Sequence, residues 1–188
     1  MAQQDVRQTE RLVQRAEETV REIVRARAEL QGTLEVYNRL MSGGADSKKL
    51  FSDLRKAANR SDDRRDDVRK RGQDMEKEAY RFFEEWTRSL AAITDPSLKG
   101  RSQTRLNDTR VEFGDILTAG RRAGADFDVF LGGLRDQITY LGYDLNPDGV
   151  ASLTEDAERL NASAESMFAR IDDLATVLSE YSGALTAQ

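Results

Sequence analysis

The sequence contains no cysteine and no histidine, and these two absences exclude several kinds of chemistry. Disulfide bonds, thiol reactions and zinc sites built from cysteine or histidine are excluded. Histidine-based acid–base catalysis is excluded for the same reason, as are ferritin-like di-iron sites, which require Glu-x-x-His pairs. Neighbouring carboxylates such as Glu84 and Glu85 have no recognisable apolar pocket around them. We therefore expect no enzymatic activity.

Proline is also scarce, because only Pro96 and Pro147 occur. Long segments rich in Ala, Leu, Glu and Arg can therefore run as unbroken helix, and the alternating patterns that indicate strands are missing. No apolar run approaches the ~20 residues of a transmembrane helix. The N-terminal stretch MAQQDVRQTE is polar and is not a signal peptide, so we expect any targeting or lipid-anchor segment to precede the given sequence.

Apolar residues instead follow a three-four spacing in four segments. This spacing predicts amphipathic helices over residues 4–42, 47–94, 101–142 and 149–186. The connecting stretches SGGAD, TDPSLKG and GYDLNPDG are short, so consecutive helices are expected to lie antiparallel. The sequence therefore predicts one elongated all-α domain over residues 1–188, an antiparallel four-helix bundle with coiled-coil-like packing. Two helical hairpins that splay apart and pair in a dimer fit the same pattern.

The antiparallel arrangement predicts an aromatic layer close to the chain termini. The stretch YRFFEEW at residues 80–86 would fill the core there, with Phe82 against Phe113 and near Leu178. Three further residues are expected close by, namely Val6, Trp86 and Tyr181.

A second predicted layer contains small residues, with Gly72 opposite Gly120, Ala123 and Gly124, and with Ala16 from the first helix. Glycine inside a helix costs about 1 kcal/mol relative to alanine, and a close approach of the helices would explain it. We therefore predict a narrow waist, with a ligand cavity or a helix bend as alternatives. The side chains expected to fill the waist are Met75, Met167 or Phe168.

Arg27 interrupts the apolar seam of the first segment and maps opposite Asp62 and Asp63. Because a buried arginine needs carboxylate partners, these three residues form a predicted polar layer that would fix the register of the first hairpin. Both aspartates belong to NRSDDRRDDVRKRGQD at residues 59–74, a stretch of mixed charge without interleaved aromatic residues. That composition argues against nucleic-acid binding and favours a solvated helix.

The stretch DLNPDGVASLTE, residues 144–155, fits the EF-hand calcium pattern at each defined position. A helix–helix turn in which Asp148 caps the following helix explains the same residues. Calcium is therefore one of two interpretations of this loop. Its calcium ligands would be Asp144, Asn146, Asp148, Val150 and Glu155.

The C-terminal half resembles a bacterial family catalogued as domain of unknown function 2959. The similarity lies in the block LRDQITYLGYDLN at residues 134–146 and in the following ASL, and extends more weakly over most of the chain. Gly142 and Tyr143 depart from the family, because many relatives have a polar pair there. The resemblance implies a helical, usually exported bacterial protein, often with a lipoprotein-type signal, and supplies no activity. Within the block, the expected interaction residues are Arg135, Asp136, Gln137 and Tyr140.

Together these observations predict a noncatalytic helical scaffold, spacer or adaptor that acts through a protein partner or through self-association. The family resemblance places it in the periplasm or cell envelope. One alternative is a protein bound to a membrane surface, attached through a segment preceding the given sequence. A second is a calcium-responsive module that uses the loop from Asp144 to Glu155. We expect no nucleic-acid partner, no small-molecule substrate and no cofactor apart from calcium in that alternative.

Overall fold

The computed structural model describes residues 2–43 and 46–187, with side chains from residue 7 onwards. The described chain is helical almost throughout and contains no strand. This confirms the predicted all-α class. The helices are α1 (Ala2–Met41), α2 (Ser47–Ser89), α3 (Pro96–Tyr143), α4 (Pro147–Ser152) and α5 (Thr154–Thr186), and a 3₁₀ turn (Leu90–Ala92) follows α2.

Side-chain caps fix where the helices begin. Asp46 accepts a hydrogen bond from the Lys49 amide at 3.2 Å, which caps α2. Asp95 accepts bonds from two amides of the first turn of α3, at 2.8 and 3.0 Å. Each carboxylate satisfies amides that have no partner inside the helix. Before α2, Gly43 has a φ of 74°, a conformation that glycine adopts without a steric penalty.

The helix limits differ from the predicted ones at three places. Helix α2 ends at Ser89 rather than near residue 94. The third helix begins at Pro96 rather than near residue 101, and Gly100 lies inside it. Proline fits the first helical position because the amide it lacks would have no partner there. The predicted helix over residues 149–186 is divided at Leu153 into the short α4 and the long α5.

The four long helices form a closed bundle in which each contacts two neighbours. Helix α1 lies between α2 and α5, and α3 contacts the same two helices from the opposite corner. The helices α1 and α5 contact each other directly, so the hairpins of the described chain do not splay apart. The core is dominated by leucine, and each fully buried leucine contributes about 2 kcal/mol through removal of its surface from water. Leucines with no exposed surface include Leu12, Leu30, Leu40, Leu54, Leu106, Leu134 and Leu141.

The predicted aromatic layer is present near the end of the bundle that holds the start of α3. Phe83, rather than Phe82, faces Phe113 of α3, with ring centroids 5.9 Å apart. Phe113 also contacts Tyr181 of α5 at 5.9 Å, and Phe82 contacts Trp86 at 5.5 Å. The layer is therefore correct and its register along α2 is shifted by one residue. The side chain of Val6, which was expected here, lies outside the described residues.

Candidate functional site

A cavity of about 520 Å³ lies in the middle of the bundle, where a narrow waist was predicted. All four long helices line it, and most of the lining side chains are apolar. Helices α1 and α5 contribute the inner wall, and its mouth opens between α2 and α3. The apolar lining includes Ile23, Ala26, Val68, Met75, Ile116, Leu117, Phe127, Ile171 and Leu174.

The predicted close approach of the helices at Gly72 is wrong. A Cβ atom built on Gly72 or on Gly124 would have no heavy atom within 4 Å. One built on Gly120 would meet only Leu174, at 4.0 Å. These glycines therefore do not sit against a neighbouring backbone, and they border the cavity instead. Of the predicted fillers, Met75 lines the cavity.

Charged side chains surround the mouth of the cavity and connect α2 to α3. Asp128 of α3 accepts from both Arg65 and Arg69 of α2, at 3.3 and 3.2 Å. Further along the same mouth, Arg121 of α3 lies 3.5 Å from Glu76 of α2. Ion pairs at such exposed positions stabilise by less than about 1 kcal/mol each. Their main consequence here is that polar groups border an apolar space.

The predicted polar layer of Arg27 with Asp62 and Asp63 is wrong. The Nε atom of Arg27 donates to Asp172 of α5 at 2.7 Å, and its guanidinium lies 4.9 Å from the ring centroid of Phe168. Asp62 contacts arginines of α2 and α3 instead, and Asp63 is exposed. The predicted position of Arg27 along the hairpin was close to the observed one. Arg27 nevertheless projects from the side of α1 that faces α5.

The highly charged stretch at residues 59–74 is not merely solvated, because several of its arginines form ion pairs with both neighbouring helices. Arg60 and Arg71 reach Glu29 and Glu18 of α1, at 2.7 and 3.5 Å. The Arg15 hydrogen bond, and the charge of Arg71, lower the pKa of Glu18 below its ordinary value of 4.5. The stretch therefore connects α2 laterally to α1 and, through the cavity mouth, to α3.

A buried hydroxyl pair joins α1 and α2 within this stretch. Thr33 and Ser61 are fully buried, and their hydroxyl oxygens lie 2.9 Å apart. Ser61 belongs to the charged stretch at residues 59–74. Its partner is a threonine that the apolar pattern did not single out.

The predicted calcium loop is folded as the start of a helix. The side-chain oxygen of Asn146 accepts the Gly149 amide at 2.8 Å and so caps α4, while the Val150 carbonyl accepts the Leu153 amide at 3.2 Å. Glu155 is 87% exposed and lies 3.7 Å from Arg159. Two of the expected calcium ligands, the side-chain oxygen of Asn146 and the carbonyl oxygen of Val150, thus accept hydrogen bonds within the helix. The carboxylate of Glu155, a third expected ligand, lies near Arg159 instead.

Across residues 7–43 and 46–187, no group of three acidic side chains is placed to hold a metal ion. Asp148 is exposed, and Asp144 accepts a hydrogen bond from the Asn146 side chain. Asn146, rather than Asp148, is the helix cap. Calcium binding stays a prediction, and a calcium ion would share the side-chain oxygen of Asn146 with the cap of α4.

The four expected interaction residues divide into two groups. Arg135 forms an ion pair with Asp62 of α2, and Gln137 accepts a hydrogen bond from the buried hydroxyl of Tyr37, so both connect helices. Asp136 is exposed. Tyr140 is 41% exposed, and its hydroxyl lies 3.0 Å from that of Ser152.

Tyr143, which the sequence pattern did not select, is 93% exposed at the last position of α3. Its neighbour Gly142 faces Phe51 of α2, because a Cβ there would lie 3.6 Å from that ring. The only sequence signal for Tyr143 was its departure from the polar pair of the resembling family. This end of the bundle therefore presents an aromatic side chain to solvent.

The pattern of apolar residues also missed the polar contacts that Asn38 and Tyr37 make near this end. Asn38 and Asn161 exchange amide hydrogen bonds between α1 and α5, at 2.8 and 2.9 Å. Tyr37 is fully buried, and burial, with a smaller contribution from Asp156, raises its pKa above the ordinary value of 10.0. The only sequence signal for Asn38 is its position next to Tyr37, which lies in the apolar seam.

Over the described ranges 2–43 and 46–187, no helix combines the length and apolar character needed to cross a membrane.

Comparison with known proteins gives one informative match. No curated protein and no solved structure matches the chain. A family model does match, over residues 1–180 of the 188. The resemblance inferred from the LRDQITYLGYDLN block is thereby confirmed, and the chain belongs to the family described as "Protein of unknown function (DUF2959)".

Proposed function

We propose that this protein is a noncatalytic helical scaffold of the bacterial cell envelope that acts by binding another protein through one end of the bundle. The observation on which the proposal depends is the exposure of Tyr143, with 93% of its surface free at the end of α3. Tyrosine is enriched among the residues that contribute most to protein interfaces. An isolated, nearly fully exposed tyrosine has no role in the packing of the bundle.

The surroundings of Tyr143 suit a binding surface. Tyr140, one turn earlier in α3, is partly exposed, and its hydroxyl is held by Asp144 at 3.3 Å and by Ser152. The turn between α1 and α2 lies at the same end. A rigid helix that ends beside a short turn presents its side chains with little loss of conformational entropy on binding.

The length of the molecule agrees with a spacer role. Helix α3 has 48 residues, which corresponds to roughly 70 Å at 1.5 Å per residue. The envelope location comes from the resemblance to exported bacterial proteins. If a lipid anchor precedes α1, the end that bears Tyr143 points away from the membrane, because the start of α1 lies at the opposite end.

The arginine pairs of α2 favour a scaffold over the alternative of a membrane-surface protein. Surface binding to anionic lipid needs a continuous basic face. Arg60, Arg65 and Arg71 are each paired with a carboxylate of α1 or α3, at distances between 2.7 and 3.5 Å. The charge available to a lipid surface is reduced accordingly.

The proposal is tested by site-specific photo-crosslinking in living cells. A photoreactive phenylalanine analogue replaces Tyr143 in the native full-length protein, and the matched control places it at Val129, which is 75% exposed on the same helix far from its end. We expect one protein to crosslink from position 143 and not from position 129, and to be lost with Tyr140→Ala. Equal crosslinking from both positions, or none from 143, would overturn the proposal. Protease accessibility in intact and permeabilised cells tests the envelope location separately.

A further inference from the structure

The central cavity has a second property that the scaffold proposal does not use. Its volume of about 520 Å³ falls within the range of small-molecule pockets, roughly 300–1,000 Å³. The cavity exists because glycines occupy positions where the two neighbouring helices could accept larger side chains. Gly72 and Gly124 have no heavy atom within 4 Å of the position of a Cβ. Close packing therefore does not explain them, although each costs about 1 kcal/mol of helix stability.

The shape of the cavity is elongated along the bundle. On α3 its lining extends from Ile116 to Asp128, which corresponds to roughly 18 Å at the helical rise of 1.5 Å per residue. Its apolar lining consists mainly of branched aliphatic side chains, together with Met75 and Phe127. An extended acyl chain matches this long apolar space better than a compact polar ligand does.

The charges at the mouth differ between its two ends. At one end Glu76 and Arg121 neutralise each other. At the other end Arg65 and Arg69 share the single carboxylate of Asp128. Arg65 has further acidic contacts outside the lining, to Asp62 and Asp66.

Arg69 has only the shared Asp128 among the ion pairs described for it, and its side chain is 54% exposed. The Asp128 pair uses one terminal nitrogen of Arg69, and the guanidinium has further N–H donors that can bind an anionic group. Arginine is well suited to this because its planar donors match carboxylate and phosphate geometry.

From these observations we propose that the cavity binds a single-chain amphiphile, with the acyl chain between the four helices and an anionic head group at Arg69. The proposal is independent of the binding of a protein at Tyr143. The head group is defined by its negative charge, which a carboxylate and a phosphate monoester both supply.

The first test compares probes that differ only in the head group. Dodecanoate, dodecyl phosphate, dodecanol and dodecylamine are titrated into the full-length protein by calorimetry, each below its micelle-forming concentration or, for dodecanol, below its solubility limit. We expect saturable binding of one molecule per chain for the two anions, weaker binding of the alcohol and the weakest binding of the amine. The tighter anion identifies the head group. Equal affinities for all four probes, or no saturable binding of either anion, overturn the proposal.

The second test fills the cavity. Gly124→Leu adds an aliphatic side chain at the lining, and Gly72→Leu does the same from α2, so that the test does not depend on one variant folding. Each buried methylene contributes a factor of about four to affinity, so displacing two of them lowers it about fifteenfold. The control is Gly114→Leu, at an exposed position of α3 outside the lining. Unchanged affinity in both filled variants, with folding verified by circular dichroism, contradicts the proposal.

The third test addresses the head group. Arg69→Gln should lower the affinity for the anions about twofold to fivefold, as expected for a partly exposed charge pair, and leave that for dodecanol unchanged. Arg88→Gln is the matched control, because Arg88 is on the same helix, is 68% exposed and is paired with Glu84 and Glu85 far from the cavity. An equal effect of both substitutions would remove Arg69 from the site.

Discussion

Asn38 of α1 and Asn161 of α5 each donate an amide hydrogen bond to the other, at 2.8 and 2.9 Å. Each side chain is only partly exposed. The reciprocal pair forms at one longitudinal alignment of the two helices, because a slip by one turn separates the amides by about 5 Å. Polar pairs of this kind fix the register of packed helices.

We expect Asn38→Leu to destabilise the protein by about 1 kcal/mol, because the partly buried side-chain oxygen of Asn161 loses its donor. The double variant Asn38→Leu with Asn161→Leu should recover most of this loss, since no polar group is then left unpaired. Urea unfolding of the two single variants and of the double variant gives the coupling energy. Strictly additive effects would show that the two amides do not act as a pair.

The open surroundings of Gly72 predict that a larger side chain there stabilises the protein, whereas a close-packed waist would predict that it destabilises the protein. Gly72→Ala should stabilise the protein by about 1 kcal/mol, because the methyl group meets no heavy atom and alanine favours the helix. Gly149→Ala should destabilise it, since a Cβ there would overlap the backbone oxygen of Asp144. Thermal unfolding distinguishes the two, and a destabilised Gly72→Ala would support close helix packing after all.

The hydroxyl of Tyr181 is buried and has no hydrogen-bond partner among the described residues. We expect Tyr181→Phe to stabilise the protein by about 1 kcal/mol at neutral pH, because an unsatisfied polar group is removed from the core. Tyr143→Phe, at a 93% exposed position, is the control and should change little.

The same residue predicts a dependence on alkaline pH. Burial, with a smaller contribution from Glu112, raises the pKa of Tyr181 above its ordinary value of 10.0. A group whose pKa is raised by folding stabilises the folded state at pH values below its ordinary pKa. This contribution is lost as the pH rises through the pKa that the group has in the folded protein. The advantage of Tyr181→Phe should therefore grow above pH 10, as measured by urea unfolding. An advantage that is constant with pH would show that folding does not raise the pKa of Tyr181.

The role of Asn146 separates a helix cap from a calcium ligand. Asn146→Ala should lower stability by about 1 kcal/mol in calcium and in EDTA alike, because the Gly149 amide loses its acceptor in both. A thermal shift assay under the two conditions measures the difference. Destabilisation that occurs only with calcium would instead establish Asn146 as part of a metal site.

Much of the architecture follows from local features of the sequence. The three-four spacing of apolar residues gave four long helices, and short Gly- or Pro-containing turns made them antiparallel. The boundary near Pro96 was misplaced, because proline is compatible with a first helical turn as well as with a loop. The division at Leu153 was missed because the three-four apolar spacing continues through it, although the flanking Ser152 and Thr154 favour helix ends over helix interiors.

The candidate sites were predicted less well. They depend on which neighbouring helix a side chain faces, as well as on its position along the bundle. The alignment along the hairpins placed Arg27 at roughly the correct height, but a periodicity of 3.6 residues does not decide which of two neighbouring helices a side chain at the edge of the seam will meet. Arg27 therefore contacts Asp172 rather than Asp62. The calcium pattern specifies residue types and spacing, whereas the folded loop uses Asn146 as a cap.

The sequence by itself determined that this protein is helical, free of cysteine and histidine chemistry, and composed of long antiparallel segments. These properties depend on composition and on contacts between residues close in the chain. Only the tertiary structure decided that the hairpins close into one bundle, and that the glycines at positions 72 and 124 border an open cavity. The same glycine spacing permits either close contact or open space, because the distance between helices is set by the larger side chains in the layers above and below.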